Sequence, residues 1–297
     1  MITQTPVILP LPISGKIPLD TFGITGREST WRDGKYACAP LLKAAVIGQL
    51  DDGGKAQLWK DLELNGEDDR SAGLRANFST DGIPLPPNFI AAGTVNMDET
   101  THGFSRKVID RALTIDFSEF YRNRLVEFFA PKTRSRILGF PTLSQADLES
   151  LKTVQADPDG EKTIRFLESV NGILSGTPFE LAYRAVNEAL LAAVCFSPPN
   201  EVSLQAVWDD FMMMKVLPRI EGDAERLGFQ DKASLLTQLA DCLKRELSLI
   251  AEADRRPDLL IEPAAGGEPL QTSCRSIRKL EWMQKRLEAN SFTTFWP

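Results

Sequence analysis

An apolar run that ends on a bare amide constrains this chain more than any other stretch. Residues 83–117 read IPLPPNFIAAGTVNMDETTHGFSRKVIDRALTIDF. A proline-rich approach leads into an apolar segment from Phe89 to Val95, then Asn96, then an acidic, threonine-rich turn and a short basic helix. An apolar segment of this length that closes on one polar side chain reads as a strand delivering that side chain to the carboxyl edge of a sheet, where open α/β folds bind ligands. Asn96 is therefore the first candidate site residue, and residues 113–117 are expected to add a second short strand.

The 297 residues are enough for two domains, each with its own core. A hydrophobic share of 42% and a charged share of 25% are those of a globular chain and exclude a disordered one. No apolar run reaches the length of a membrane span and no charged, apolar leader opens the chain, so neither a spanning helix nor a secretory signal is expected. Cys38, Cys195, Cys242 and Cys274 are scattered and His102 is the only histidine. That usage gives neither metal-ligand spacing nor a disulfide framework and fits a reducing cytoplasm, with the cysteines as small buried hydrophobes. His102 lies in the polar turn with nothing around it to make it a base. A net charge of -7 argues against a broad basic face for nucleic acid and leaves room for a local basic groove.

Residues 1–82 carry the weakest signals. Pro6, Pro10, Pro12 and Pro18 turn the first apolar run into an extended edge strand or loop. Residues 36–50 fit a helix or a buried strand, 57–64 a further helix, and 65–82 a surface loop. Ser118 reads as the N-cap of a helix running to Phe129 and ended by Pro131, and the basic cluster Lys132, Arg134 and Arg136 falls in a connection between domains. Beyond it, helices are expected over 144–153, 161–174, 179–196, 204–217, 232–253 and 275–289, with a short strand at 259–261. Gly176, Pro178, Pro198 and Pro199 supply the stops, and Met212, Met213 and Met214 read as core filling.

Gly93-Thr94-Val95-Asn96-Met97-Asp98-Glu99-Thr100-Thr101, followed by Phe104-Ser105-Arg106-Lys107-Val108-Ile109-Asp110-Arg111-Ala112, resembles the sensor-1 strand and following helix of the McrB-like branch of AAA+ NTPases. Three later segments are similar to that family in the same order. They are Phe179 to Glu188, like the helix that carries the sensor-2 arginine; Trp208 to Gly222, with its Leu217-Pro218 pair; and Ser276 to Trp296, with its aromatic ending. The resemblance covers residues 83–297 and implies a fold of α/β plus α: a partial AAA+ α/β core over 1–130 followed by a mainly helical lid over 131–297. It further implies GTP or ATP with Mg2+ as cofactor, a homo- or hetero-oligomeric ring, a nuclease partner and, through it, DNA.

Under the resemblance Asn96 would orient the attacking water, Arg111 or Arg106 would reach a neighbouring subunit's nucleotide, and Arg184 would contact phosphate from the lid. The plainer readings are a strand end for Asn96, surface pairs with Asp98, Glu99 or Asp110 for the arginines of the short helix, and a pair with Glu180 or Glu188 for Arg184. The phosphate cradle of such enzymes is missing from these residues: GxxxxGK[ST] does not occur, and Ser14-Gly15-Lys16-Ile17 lacks both the first glycine and the hydroxyl. The acidic pair that would hold the metal is Asp51 with Asp52, after 44–50 read as a buried strand that Gly48 and Gln49 weaken. A fragment of a longer motor, a degenerate subunit and a gene that lost its 5′ half all fit. So does a non-catalytic assembly subunit that docks on an intact AAA+ partner, whereas an unrelated nucleic-acid-binding helical protein is disfavoured by the acidic balance.

Overall fold

The computed structural model describes residues 40–84, 93, 106–116, 145–228, 233–260 and 269–296, together with the backbone of three strands within 17–38. Its contacts divide the chain into a unit Ser14–Ile90 and a larger unit that holds Ala91–Pro297. The boundary expected between 130 and 131 falls outside the described residues, as does the helix expected over 118–129.

In the smaller unit β1 (Ile17–Pro18), β2 (Glu28–Arg32) and β3 (Lys35–Cys38) form an antiparallel sheet in that order, with Thr30 opposite Ala37 and Trp31 opposite Tyr36. Three helices follow: α1 (Ala44–Gln49), α2 (Asp52–Asp61) and α3 (Asp69–Asp81). The strand reading of 44–50 is thereby corrected. This stretch is helical to Gln49, and Asp51 at once caps the next helix by accepting the Gly54 N–H at 2.7 Å. The loop expected over 65–82 is also corrected, because Asp68 accepts both the N–H (2.9 Å) and the hydroxyl (2.7 Å) of Ser71 and so starts α3. Gly82 ends that helix at φ 85°, where a Cβ would stand 2.6 Å from the Leu42 carbonyl oxygen, so the position requires glycine.

The larger unit is built mainly of helices. After α4 (Arg106–Ile109), residues 110–116 run on without strand pairing, so the described part of 113–117 is not the strand expected there. Helix α5 (Leu148–Leu151) opens on a capping box between Asp147 and Ser150, and α6 (Glu161–Leu174), α7 (Tyr183–Phe196) and α8 (Glu201–Phe211) follow. Helix α8 runs into one turn of π-helix (Met212–Val216) and a 3-10 turn (Leu217–Arg219). Then come β4 (Glu221–Asp223), α9 (Ala224–Leu227), α10 (Leu235–Glu246), α11 (Ser248–Ala253), β5 (Arg256–Pro257), β6 (Gln271–Thr272), α12 (Arg275–Asn290) and β7 (Phe292–Thr294). Strand β4 pairs with β7 and β5 with β6, both antiparallel. The single long helix expected over 232–253 is two: the backbone leaves the helical region at Leu247 (φ -104°, ψ 30°), which is itself buried.

Helix α8 is the axis of this unit. From Leu204 through Pro218 every residue is buried, the burial expected of a helix enclosed on all sides. Trp208 stacks on Phe166 of α6 with ring centroids 4.8 Å apart; Met212 and Met213 fill the main core, and Met214 is buried in a smaller cluster. Its polar side chains cap other elements. Gln205 accepts the Leu249 N–H at the start of α11 (3.1 Å), and Trp208 donates to the Thr163 hydroxyl (3.0 Å), which with the Thr163 N–H is held by the buried Asp157 at the start of α6.

Asp209 caps α12, whose own N-cap residue Cys274 makes no capping bond with its side chain. One carboxylate takes the N–H groups of Arg275 (2.9 Å) and Ser276 (2.8 Å), the Ser276 hydroxyl, the Cys274 thiol and Arg256 Nε (2.6 Å). Arg256, wholly buried, also forks onto Asp210, and Arg275 bridges Asp210 (3.0 Å) to Asp258 (2.7 Å). Burial alone would raise the Asp209 carboxyl, but the Arg256 guanidinium, the Ser276 hydroxyl and the two backbone N–H groups hold it below the usual range.

Replacing Arg256 by Met leaves Asp209 buried without its cation and Asp210 with Arg275 alone, and is expected to lower stability to urea by about 3–5 kcal/mol. Lys152→Met breaks only the exposed Lys152–Glu149 pair and is expected to cost less than about 1 kcal/mol. Because the folded Asp209 carboxyl lies below its unfolded value, its contribution is complete above the ordinary carboxylate range and is lost as pH falls through the folded value. Asp209→Asn is therefore expected to give a shallower loss of stability below about pH 4 in acid titrations.

Candidate functional site

Where residues 110–116 lie against the helices, several of the sequence-predicted residues come together. Pro218 has no N–H to send to the Met214 carbonyl four residues earlier, and Leu217 bonds instead to Met212, giving the π-turn. The Met214 carbonyl accepts the Thr114 N–H at 3.0 Å. The same turn carries Lys215, whose Nζ donates to the carbonyls of Asp110 (2.6 Å) and Ala112 (3.4 Å) and stands 2.7 Å from Glu188 Oε2 of α7. That oxygen is buried, with the Lys215 ammonium facing it. Arg219 on the next turn pairs with the Asp110 carboxylate (2.7 Å) and donates to the Glu180 carbonyl (3.2 Å).

Burial moves both members of the Lys215–Glu188 pair toward neutrality. It pushes the Glu188 carboxyl up against the opposing charge of Lys215, and pushes the Lys215 ammonium down against the support of Glu188. Arg184, one turn before Glu188 on α7, is exposed and adds its positive charge to both. Among the described residues it forms no ion pair with Glu180 or Glu188; Glu188 is held by Lys215 instead. At the far end, Asp116 meets Lys279 of α12 at 2.9 Å, and that ammonium lies 4.5 Å from the ring centroids of both Trp282 and Phe295. Arg286 lies 5.1 Å from the Trp282 ring centroid and donates to the Trp296 carbonyl at 2.7 Å, and Trp282 and Phe295 together form the seat of Lys279.

Of the residues singled out by sequence, Arg184 borders this junction, and half-buried Arg111 follows Asp110 directly. Arg106 opens α4, its side chain outside the description, and Asn96 and His102 lie outside the described residues altogether. Asp51 and Asp52 are exposed at the start of α2, not at the end of a strand, and among the described residues no group of three His, Cys, Asp or Glu is arranged to hold a metal. Cys242 and Cys274 are buried as expected, but Cys195 is exposed. Sequence reasoning missed Lys215, Asp209, Asp210 and Arg256. The available signal was charge inside an apolar run: Ala206-Val207-Trp208-Asp209-Asp210-Phe211-Met212 places two carboxylates where a buried helix admits only paired ones.

If Asp51 acts only as a cap, Asp51→Ala is expected to cost about 1 kcal/mol and to leave the thermal midpoint equally indifferent to added Mg2+. A wild-type midpoint that rises with Mg2+ and an Asp51→Ala midpoint that does not would restore the metal role.

Among the described residues no helix is long and apolar enough to cross a membrane. No curated protein and no solved structure matches the chain. One family model does, described as "Domain of unknown function (DUF8727)", over residues 141–292. Those residues take in α5 through α12, the helices gathered around α8. The match spans just over half of the chain, which therefore belongs to the DUF8727 family.

Proposed function

We propose that this chain supplies the sensing and lid portion of a McrB-like AAA+ NTPase. In this reading it acts in the cytoplasm, at a ring interface that holds GTP or ATP with Mg2+, as part of a restriction or defence system with a nuclease partner acting on DNA. By itself it does not hydrolyse nucleotide, since no GxxxxGK[ST] is present to hold the phosphates. The observation that carries the reading is the exposed guanidinium of Arg184 in the first turn of α7, beside the buried contacts that tie α7 to the segment following the resemblance's sensor strand. A planar, permanently charged fork at that place suits a phosphate. The described carboxylates do not suit Mg2+, so the metal would enter with the nucleotide and with residues of a neighbouring subunit.

The purified chain is expected to show only background turnover of GTP or ATP with Mg2+. Added to a McrB-like homologue that contains a P-loop, it is expected to change the homologue's hydrolysis rate. Arg184→Ala is expected to abolish that change while altering the chain's own stability by less than about 0.5 kcal/mol. Robust turnover by the chain alone, or a homologue indifferent to it, contradicts the proposal.

A further inference from the structure

Residues 110–116 are attached to the larger unit differently from its helices. Their buried apolar side chains, Leu113 and Ile115, meet Met214 and Leu260 in a small cluster of their own, apart from the main core around α8, α10 and α12. A short run of the opposing chain meets their polar groups. The Met214 carbonyl accepts the Thr114 N–H, Lys215 donates to the carbonyls of residues 110 and 112, and Arg219 pairs with the Asp110 carboxylate. The closed arrangement also has a cost, since it takes the charges of a lysine and a glutamate out of water. Among the described residues, the small apolar cluster and the polar contacts from the π-turn and from Lys279 at the far end join this segment to the helices, which gives it the makings of a sub-global opening unit.

We infer that residues 110–116 form a strap, latched by Lys215 on the π-turn and by Lys279 on α12, which releases from the helices while the main core stays folded. The π-turn is what makes the latch. Because Pro218 withholds an N–H, one carbonyl is left for Thr114, and the same turn aims Lys215 at the strap's carbonyls. The inference concerns the motion alone and stands without the proposed function. Joined to it, the strap links the end of α4 to the helix of Arg184.

Native-state hydrogen exchange on the full chain, with no nucleotide or partner added, tests this separately from any nucleotide activity. In the wild type the Thr114 amide is expected to exchange through an opening with a shallower denaturant dependence than the α10 amides of Leu239 and Leu243. Lys215→Met is expected to speed Thr114 exchange by about tenfold or more while changing the α10 amides by less than about threefold. Lys215→Arg, which keeps the charge and the donors, is expected to recover most of the protection. One common exchange rate and denaturant slope for Thr114 and Leu243 in the wild type would overturn the strap even if the Met variant fails to fold. An equal acceleration of both by Lys215→Met would overturn the latch.

Discussion

A buried polar group must find a partner, and a helix enclosed on every side must find partners in every direction. Helix α8 and its π-turn meet that requirement with neighbours on several elements, Asp209 and Asp210 sharing Arg256 and Arg275. Gln205 caps α11, Trp208 joins the capped start of α6, Asp209 caps α12, Asp210 holds Arg256 and Arg275, and Lys215 holds α7 and the segment 110–112. Apolar contact alone would tolerate sliding or rotation of these elements. A carboxylate that needs the N–H groups of residues 275 and 276 tolerates neither, because a shift of one residue breaks several charge-assisted bonds at once.

Such networks contribute more to uniqueness than to net stability. Desolvating Arg256 and three carboxylates is costly, and well-packed apolar residues would stabilise the core at least as well. What they supply is direction: they fix which end of α12 meets α8 and which face of α7 meets the π-turn. The functional reading depends on that fixing. Lys215 joins Glu188 of α7 to the carbonyls of residues 110 and 112, so a ligand that prefers one placement of α7 would also bias the proposed strap.

The helices around α8 were legible where proline and glycine punctuate the chain. The stop of α7 before Pro198 and the apolar stripe of α12 could be read directly from the sequence. Helix α3 was missed because its residues carry almost no apolar face, and only the pairing of Asp68 with Ser71 signalled its start. The break at Leu247 was invisible because the apolar spacing continues through it, and the interruption is satisfied from elsewhere, by Gln205. The ion network was legible only in part. Two carboxylates in an apolar run announce buried partners, but nothing local names Arg256, 47 residues away along the chain. Asp51 and Asp52 misled for the opposite reason: an acidic pair after an apolar segment looks the same whether it ends a strand or caps a helix.

The central claim is that buried charge on α8 selects one arrangement of the helices around it. The most direct test is the amide proton–nitrogen correlation NMR spectrum of a chain carrying Asp209→Leu, Asp210→Leu and Arg256→Met together. The account predicts helical content close to the wild type but multiple or broadened resonances for α8 and for the first turns of α12, as those elements lose a single register. One sharp, dispersed set of resonances, with the wild-type proton–proton contacts between α8 and α12 intact, would contradict it.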